Sequence, residues 1–297
     1  MIVAMEQFIT YLALVLFGLV FGSFAGASVW RLRARQLDQD KKAGEKVDSD
    51  EYKRLHKLTK SSFKLNDHSC CLNCSYELKW YDMVPVISWL SLGGKCRQCR
   101  KPIGYLEPLI EVGVALFFVA SVAFWPYPLS NGLEIARLVL WLAAGVPLAI
   151  LFAYDTMWSL LDLSVNRILI AIGLFSAILV VINAPDKIST LISVFGSVLI
   201  LSGLYYAIYK VSQGKWVGGG DPILGLGLAL LLADWRLAFI ALFAANLIGC
   251  FIVIPAMIMK KLKRDSHVPF GPLLIAGFVV AGLAGGYLLN IYFFSLV

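Results

Sequence analysis

The chain is dominated by long apolar runs, and these constrain its fold more than any other feature. A transmembrane α-helix needs roughly 20 mainly apolar residues. Eight runs approach or reach that length, at about 8–30, 107–125, 134–154, 165–183, 188–209, 222–233, 235–258 and 269–291. The sixth run is short and opens at Pro222, a residue type favoured at the first helical position, which predicts a partial helix packed inside the bundle.

The composition supports the same interpretation. Hydrophobic residues make up 59% of the chain and charged residues 15%, whereas soluble domains are nearer half apolar and a quarter charged. We therefore predict an all-α polytopic membrane protein with about eight transmembrane helices. The predicted parts are a first transmembrane helix at 1–30, an insert at 31–106 and a seven-helix membrane catalytic domain at 107–297.

Basic residues are concentrated in the polar insert between the first two runs. Sixteen of the 26 Lys and Arg residues lie between Arg31 and Lys101. If the insert is cytoplasmic, all but Arg137, Lys187 and Arg236 fall on the cytoplasmic side. The positive-inside rule then predicts a cytoplasmic insert and both termini outside the cytoplasm. On this interpretation the net charge of +7 comes from basic residues that mark the cytoplasmic side of the membrane. Nucleic acid is therefore not predicted as a partner.

Two aspartates adjoin apolar runs at the same predicted depth. Asp155 ends the third run, and Asp221 opens the sixth directly after a glycine triplet that includes Gly218 and Gly220. Ionisable residues beside membrane spans are costly and usually functional. Two carboxyl groups held close share a proton, so one activates water while the other polarises a peptide carbonyl. The glycines are expected to allow unusual backbone conformations and close approach of a substrate strand.

Other interpretations of these residues stay open at this stage. Each aspartate could be only an interfacial residue or a helix cap. A glycine-rich break with an acidic residue also fits an ion site in a transporter. Asp162 is a third acidic candidate, and its position five residues before Arg167 favours a capping or ion-pair role over catalysis.

The insert carries two CxxC motifs about 20 residues apart, formed by Cys71, Cys74, Cys96 and Cys99. Each CxxC turn presents two thiolates to one ion, and such a pair of motifs is typical of a tetrahedral zinc site. Structural disulfides are disfavoured in the reducing cytoplasm. Free thiols or redox chemistry are the alternatives, and Cys70 or His68 could replace a ligand. Four protein ligands would close the coordination sphere, which predicts a structural zinc in a small zinc-ribbon-like insert.

Further motifs follow in a fixed order along the chain. They occupy residues 22–24, 29–32, 84–90, 93–97, 107–111 and 269–272, together with Asp155 and Gly218-x-Gly220-Asp221. In this order they resemble the type IV prepilin peptidases, the GxGD-type membrane aspartyl proteases of bacterial pilus and type II secretion systems. The resemblance implies that Asp155 and Asp221 are the catalytic pair and that the protein lies in the bacterial inner membrane.

The same resemblance implies the substrate and a second activity. The substrate would be a prepilin or pseudopilin whose short basic leader stays in the cytoplasm, with Glu77, Asp82, Glu107 and Glu111 as candidate leader contacts. Many family members also methylate the new N-terminus using S-adenosylmethionine. The rival functions are an ion- or proton-coupled transporter with a cytoplasmic zinc domain and a catalytically inactive assembly scaffold. Neither the oligomeric state nor the particular pilin follows from the sequence.

Overall fold

A computed structural model describes residues 2–59, 69–261 and 268–294. These residues form almost only helices, with no β-strand among them. The α-helices are α1 (Ile2–Lys42), α2 (Ser49–Thr59), α3 (Ile87–Ser91), α4 (Leu106–Ala123), α5 (Gly132–Trp158), α6 (Leu163–Asn183), α7 (Lys187–Val198), α8 (Leu204–Ser212), α9 (Asp221–Leu232), α10 (Trp235–Ile258) and α11 (Gly271–Phe294). A 3₁₀ turn covers Trp80–Asp82, and a π-helix over Leu199–Gly203 joins α7 to α8.

The helical membrane fold is confirmed. Within the described ranges, seven helical segments are long and apolar enough to cross a bilayer, and α7, the π-helix and α8 together form one of them. The remaining predicted run, the sixth, is α9, which has only 12 residues, nine of them buried. It is therefore a short helix packed inside the protein, as the sequence predicted.

The chain divides into two compact units, Met1–Val119 and Ala120–Val297, which we call unit 1 and unit 2. The division proposed from the sequence, at 30 and 106, stays a prediction. In unit 1, α1 passes close to α4, because a Cβ placed on Gly22 would lie 2.5 Å from the Cα of Glu111. The small side chains of α1 therefore allow close helix packing, as they commonly do in membranes.

The first helix does not end near residue 30 but continues to Lys42, and α2 packs against this extension. Ala34, Leu37 and Leu55 form a small core between them. Arg33 adds two hydrogen bonds to the Glu51 carboxylate, at 3.0 and 2.7 Å. The polar composition of residues 36–67 favours a solvated linker or partner surface, with a short helix possible over 51–64. In the described part, 36–59, the structure has instead the end of α1 and the packed helix α2. The packing of α2 was missed because its apolar face is narrow and only becomes visible against α1.

In unit 2, helices α6, α7 and the π-helix surround α9. A Cβ on Gly225 would collide with the Leu201 carbonyl oxygen, so the π-helix and α9 approach as closely as their backbones allow. Ser197 and Ser202 donate hydrogen bonds across this contact to the carbonyl oxygens of Ala229 and Pro222, at 2.9 and 2.8 Å. These bonds anchor both ends of α9 within unit 2.

Candidate active site

Asp155 lies in the last turn of α5 and is only 5% exposed. The helix ends at Ser159, whose left-handed conformation lets its N–H donate to the Asp155 carbonyl oxygen at 2.8 Å. The Asp155 side chain accepts a 2.9 Å hydrogen bond at Oδ2 from the Gly271 backbone N–H, at the start of α11. The carboxyl group is thus held between the end of one helix and the beginning of another.

Asp221 is the first residue of α9 and is 6% exposed. Its Oδ2 accepts a 2.9 Å hydrogen bond from the Gly218 backbone N–H. Pro222 follows it at a position where the lack of an N–H costs no helical hydrogen bond. A carboxylate at a helix N-terminus also interacts favourably with the helix dipole.

The expectation of unusual backbone conformations in the glycine triplet is wrong. None of residues 218–220 has a positive φ, and Gly220 lies in the ordinary right-handed region with φ −80° and ψ −28°. What requires a glycine at 220 is space: a Cβ there would lie 2.8 Å from the Leu161 Cβ. The triplet serves close packing around Asp221.

Leu161 and Tyr205 link the surroundings of the two aspartates. Leu161 packs against Gly220, and a Cβ on Gly271 would lie 3.3 Å from the Leu161 Cδ2. The Tyr205 hydroxyl group lies near enough to the Asp221 carboxylate to interact with it electrostatically. Its ring contacts Phe270, beside Gly271, with 5.3 Å between the ring centroids. These shared neighbours place Asp155 and Asp221 in one part of unit 2, although 66 residues separate them in sequence.

Sequence reasoning missed Leu161, Tyr205 and the Gly271 donor. Leu161 and Tyr205 are apolar or aromatic residues among many, so neither gave a local signal. Residues 269–272 were noted as a family-like motif, but their relation to Asp155 follows only from the fold. Asp162, by contrast, was correctly predicted to cap a helix, because its Oδ1 accepts the Val165 N–H at 2.9 Å.

The four predicted cysteine ligands come together. Their four Sγ atoms all lie within 4.8 Å of one another; the residues are Cys71, Cys74, Cys96 and Cys99. The Cys71–Cys99 and Cys74–Cys96 sulfur pairs are each 3.9 Å apart. A zinc ion with Zn–S bonds of about 2.3 Å sets its tetrahedral sulfurs about 3.8 Å apart. The cluster therefore fits a metal ion of this kind, whereas His68 lies outside the described residues.

The two CxxC turns have the same backbone geometry. In each turn, the backbone N–H of the first cysteine donates to the carbonyl oxygen of the residue five positions later. The carbonyl oxygen of the same cysteine accepts a hydrogen bond from the N–H of the residue four positions later. These bonds are 2.9–3.0 Å long in both turns. The fourth residue after that cysteine, Ser75 or Arg100, has a φ near +60° in both turns. Burial raises the pKa of the Cys71 thiol to about 12. Burial opposes ionisation of Cys96 as well, but backbone donors at Cys99 and Gln98 lower its pKa to about 7.

The four candidate leader contacts have different surroundings. Asp82 is engaged by Arg97 at 2.7 Å, and its side chain is 2% exposed. Glu111 is buried and accepts the Val86 N–H at 2.7 Å. Glu107 accepts the Trp30 indole N–H at 2.8 Å. Glu77 is exposed and pairs with Cys70 in an isolated β-bridge. Their role as leader contacts stays a prediction.

Fold and site together define a multi-pass helical membrane protein with two buried aspartates beside glycine-containing turns and a four-cysteine cluster in an insert. Residues 16–125 match the family model described as "Bacterial Peptidase A24 N-terminal domain".

The Aeromonas hydrophila "Prepilin leader peptidase/N-methyltransferase" is 31% identical over 71% of this chain and 70% of its own length. The Pseudomonas putida protein of the same name is 30% identical over 93% and 91%. The Escherichia coli O78:H11 "Type 4 prepilin-like proteins leader peptide-processing enzyme" is 28% identical over 91% of both chains. The chain belongs to the type IV prepilin peptidase family. No solved structure matches it.

Proposed function

We propose that the protein is an intramembrane aspartyl endopeptidase that removes the basic leader from type IV prepilins or pseudopilins. The observation that supports this most strongly is the pair Asp155 and Asp221, two buried carboxyl groups with common neighbours, in a chain whose relatives are named as prepilin peptidases. Leader removal also agrees with the predicted topology, in which both aspartates lie at the cytoplasmic edge of the bilayer.

The two aspartates would divide acid and base roles. One carboxylate takes a proton from water, which attacks the scissile carbonyl carbon, while the protonated partner donates to the carbonyl oxygen. The tetrahedral intermediate then breaks at the C–N bond, and the amine leaves with a proton from the pair. The backbone N–H groups of Gly271 and Gly218 each hold one carboxyl oxygen, so the pair enters the reaction already oriented.

The insert would hold one structural zinc through Cys71, Cys74, Cys96 and Cys99. When bound, zinc supplies a crosslink between the two CxxC turns rather than chemistry at the peptide bond. The insert would face the cytoplasm, and both termini would lie on the opposite side. Of the four acidic residues expected to contact the leader, we keep Glu77, Asp82 and Glu111, although Asp82 and Glu111 already have partners in the fold. We assign Glu107 a different role.

We include N-methylation of the newly formed N-terminus as a second activity. Its support is the name of two relatives, which joins the peptidase to an N-methyltransferase. S-adenosylmethionine would supply the methyl group. Methylation needs the amine that cleavage frees, but Asp155 and Asp221 take no part in the methyl transfer itself. A variant that loses methylation while keeping cleavage is therefore expected to exist.

The test is co-expression with a candidate prepilin, followed by sequencing of the mature N-terminus and measurement of its mass. Loss of the leader supports the peptidase, and an added 14 Da, the mass of one methylene group, supports methylation. The transporter and the inactive scaffold both predict an intact leader. None of the relatives described above is named as a transporter.

A further inference from the structure

We propose that a cavity of about 500 Å³ within unit 1 binds S-adenosylmethionine, and that Glu107 is the anionic group that holds its positively charged part. This inference rests on the methylation proposed above. It assigns that activity a location in the chain and a specific side chain, both separate from the aspartate pair.

The cavity has the size and lining of a small-molecule site. Such sites usually measure about 300–1,000 Å³ and combine apolar walls with a few polar groups. Here the walls include the aromatic residues Trp30 and Trp89 and the apolar residues Leu92 and Ile103. Both indoles are fixed: Trp89 donates to the Gly104 carbonyl oxygen at 2.7 Å, and Trp30 donates to Glu107 at 2.8 Å. Fixed aromatic faces suit the flat adenine ring.

Among the described residues that line the cavity, Glu107 has a buried polar atom without a hydrogen-bond partner. Its Oε1 accepts the Trp30 N–H, but its Oε2 is buried and has no hydrogen-bond partner in the described part of the chain. A buried carboxylate oxygen without a partner is costly, so such atoms are expected to meet a ligand, ion or water. The sulfonium group of S-adenosylmethionine in the cavity would supply the missing positive charge.

We assign the sulfonium contact to Glu107 because the other acidic groups that line the cavity already have partners in the fold. Asp82 is paired with Arg97, and Glu111 accepts the Val86 N–H. Arg31 and Arg54 also line the cavity, and the Arg54 guanidinium lies 5.8 Å from the centre of the Trp30 ring. S-adenosylmethionine carries a carboxylate as well as its two positive groups, so a lining with both Glu107 and Arg54 matches its charge pattern.

The decisive measurement compares two ligands that differ in charge. S-adenosylhomocysteine has the same adenosine and amino-acid parts but a neutral thioether in place of the sulfonium. Equilibrium dialysis with the purified full chain should show S-adenosylmethionine binding about tenfold more tightly, or about 1.4 kcal/mol. In Glu107→Gln this preference should disappear while S-adenosylhomocysteine affinity stays the same. The latter affinity also reports folding, because a misfolded variant would lose both ligands.

Two controls complete the experiment. Glu45→Gln removes an exposed carboxylate of unit 1 that does not line the cavity, and it should keep the tenfold preference. Asp155→Asn should bind both ligands like the wild type. Equal wild-type affinities, or a preference that survives Glu107→Gln, would overturn the proposal.

A cavity for a basic leader side chain would give a different result. A lysine-containing leader peptide would bind in a Glu107-dependent way while S-adenosylmethionine did not bind, and this also overturns the proposal. Failure of the proposed peptidase is recognised separately, because it leaves the prepilin leader intact whatever the cavity binds.

Discussion

The Gly271 backbone N–H donates a 2.9 Å hydrogen bond to Oδ2 of Asp155, across 116 residues of sequence. The approach leaves no space for a side chain, since a Cβ on Gly271 would lie 2.6 Å from that oxygen. A contact this close makes the position of the carboxyl group sensitive to the smallest substitution at residue 271.

Gly271→Ala should therefore reduce leader cleavage on the order of 100-fold, because a displacement of about 1 Å at a reacting group can cost that much. Gly132→Ala is the matched control, since a Cβ at that position has nothing within 4 Å. The measurement is the initial cleavage rate of a purified prepilin in detergent. Equal rates for the two variants would show that the Gly271 contact does not orient Asp155 for catalysis.

Asp155→Asn and Asp221→Asn should each reduce cleavage on the order of 10²–10⁴-fold, because an amide can act neither as base nor as acid. Asp162→Asn makes the same chemical change at a helix cap, where asparagine caps as well as aspartate. It should retain the wild-type rate. An active Asp155 variant together with an inactive Asp162 variant would reassign the first catalytic residue.

The pH profile of cleavage should be bell-shaped, because a pair that shares one proton works only when singly protonated. The acid limb reflects loss of the carboxylate base, and the alkaline limb reflects loss of the shared proton. The two apparent constants belong to the pair and not to either residue. Initial rates across the range in which the protein stays folded provide the test. A profile without one of the limbs in that range counts against proton sharing.

Purified protein should contain one zinc per chain, measured by elemental analysis under reducing conditions. Thiolates bind the metal and release protons, so retention of zinc should weaken as the pH falls. Cys71→Ser with Cys74→Ser should abolish retention and increase proteolysis of the insert. Cys250→Ser, a change to a cysteine outside the cluster, should leave zinc unchanged. Zinc-free wild-type protein would eliminate this site.

Leu55→Ala should destabilise the packing of α2 on α1 by about 2–5 kcal/mol, since Leu55 is fully buried in their small core. Lys53→Ala, on the exposed face of the same helix, should have little effect. Hydrogen exchange of the α2 amides reports the difference directly. Similar exchange in both variants would mean that α2 does not depend on this core.

The sequence predicted the membrane spans well, because each needs a long apolar run that is visible without any tertiary information. The cysteine cluster was predictable for a similar reason, since CxxC turns carry their geometry locally. The extension of α1 to Lys42 was not predictable, because residues 31–42 are mostly polar and contribute only Ala34 and Leu37 to the buried core with α2. The contacts of Leu161, Tyr205 and Gly271 depend on helices distant in sequence, so no local pattern could have indicated them.

The π-helix at Leu199–Gly203 determines which way the side chains of α8 point around the axis of their membrane span. Each residue of a regular α-helix advances the chain by about 100°, and a π-turn absorbs one residue without that rotation. If the same residues were wound as a regular α-helix, α8 would turn by about 100° relative to α7, and Tyr205 would swing away from Asp221 while Ser197 stayed opposite Ala229. Removing one residue from 199–203 would instead restore the regular winding and keep α8 near its present angle. The span thus tolerates a deletion at this segment better than a change that only straightens it.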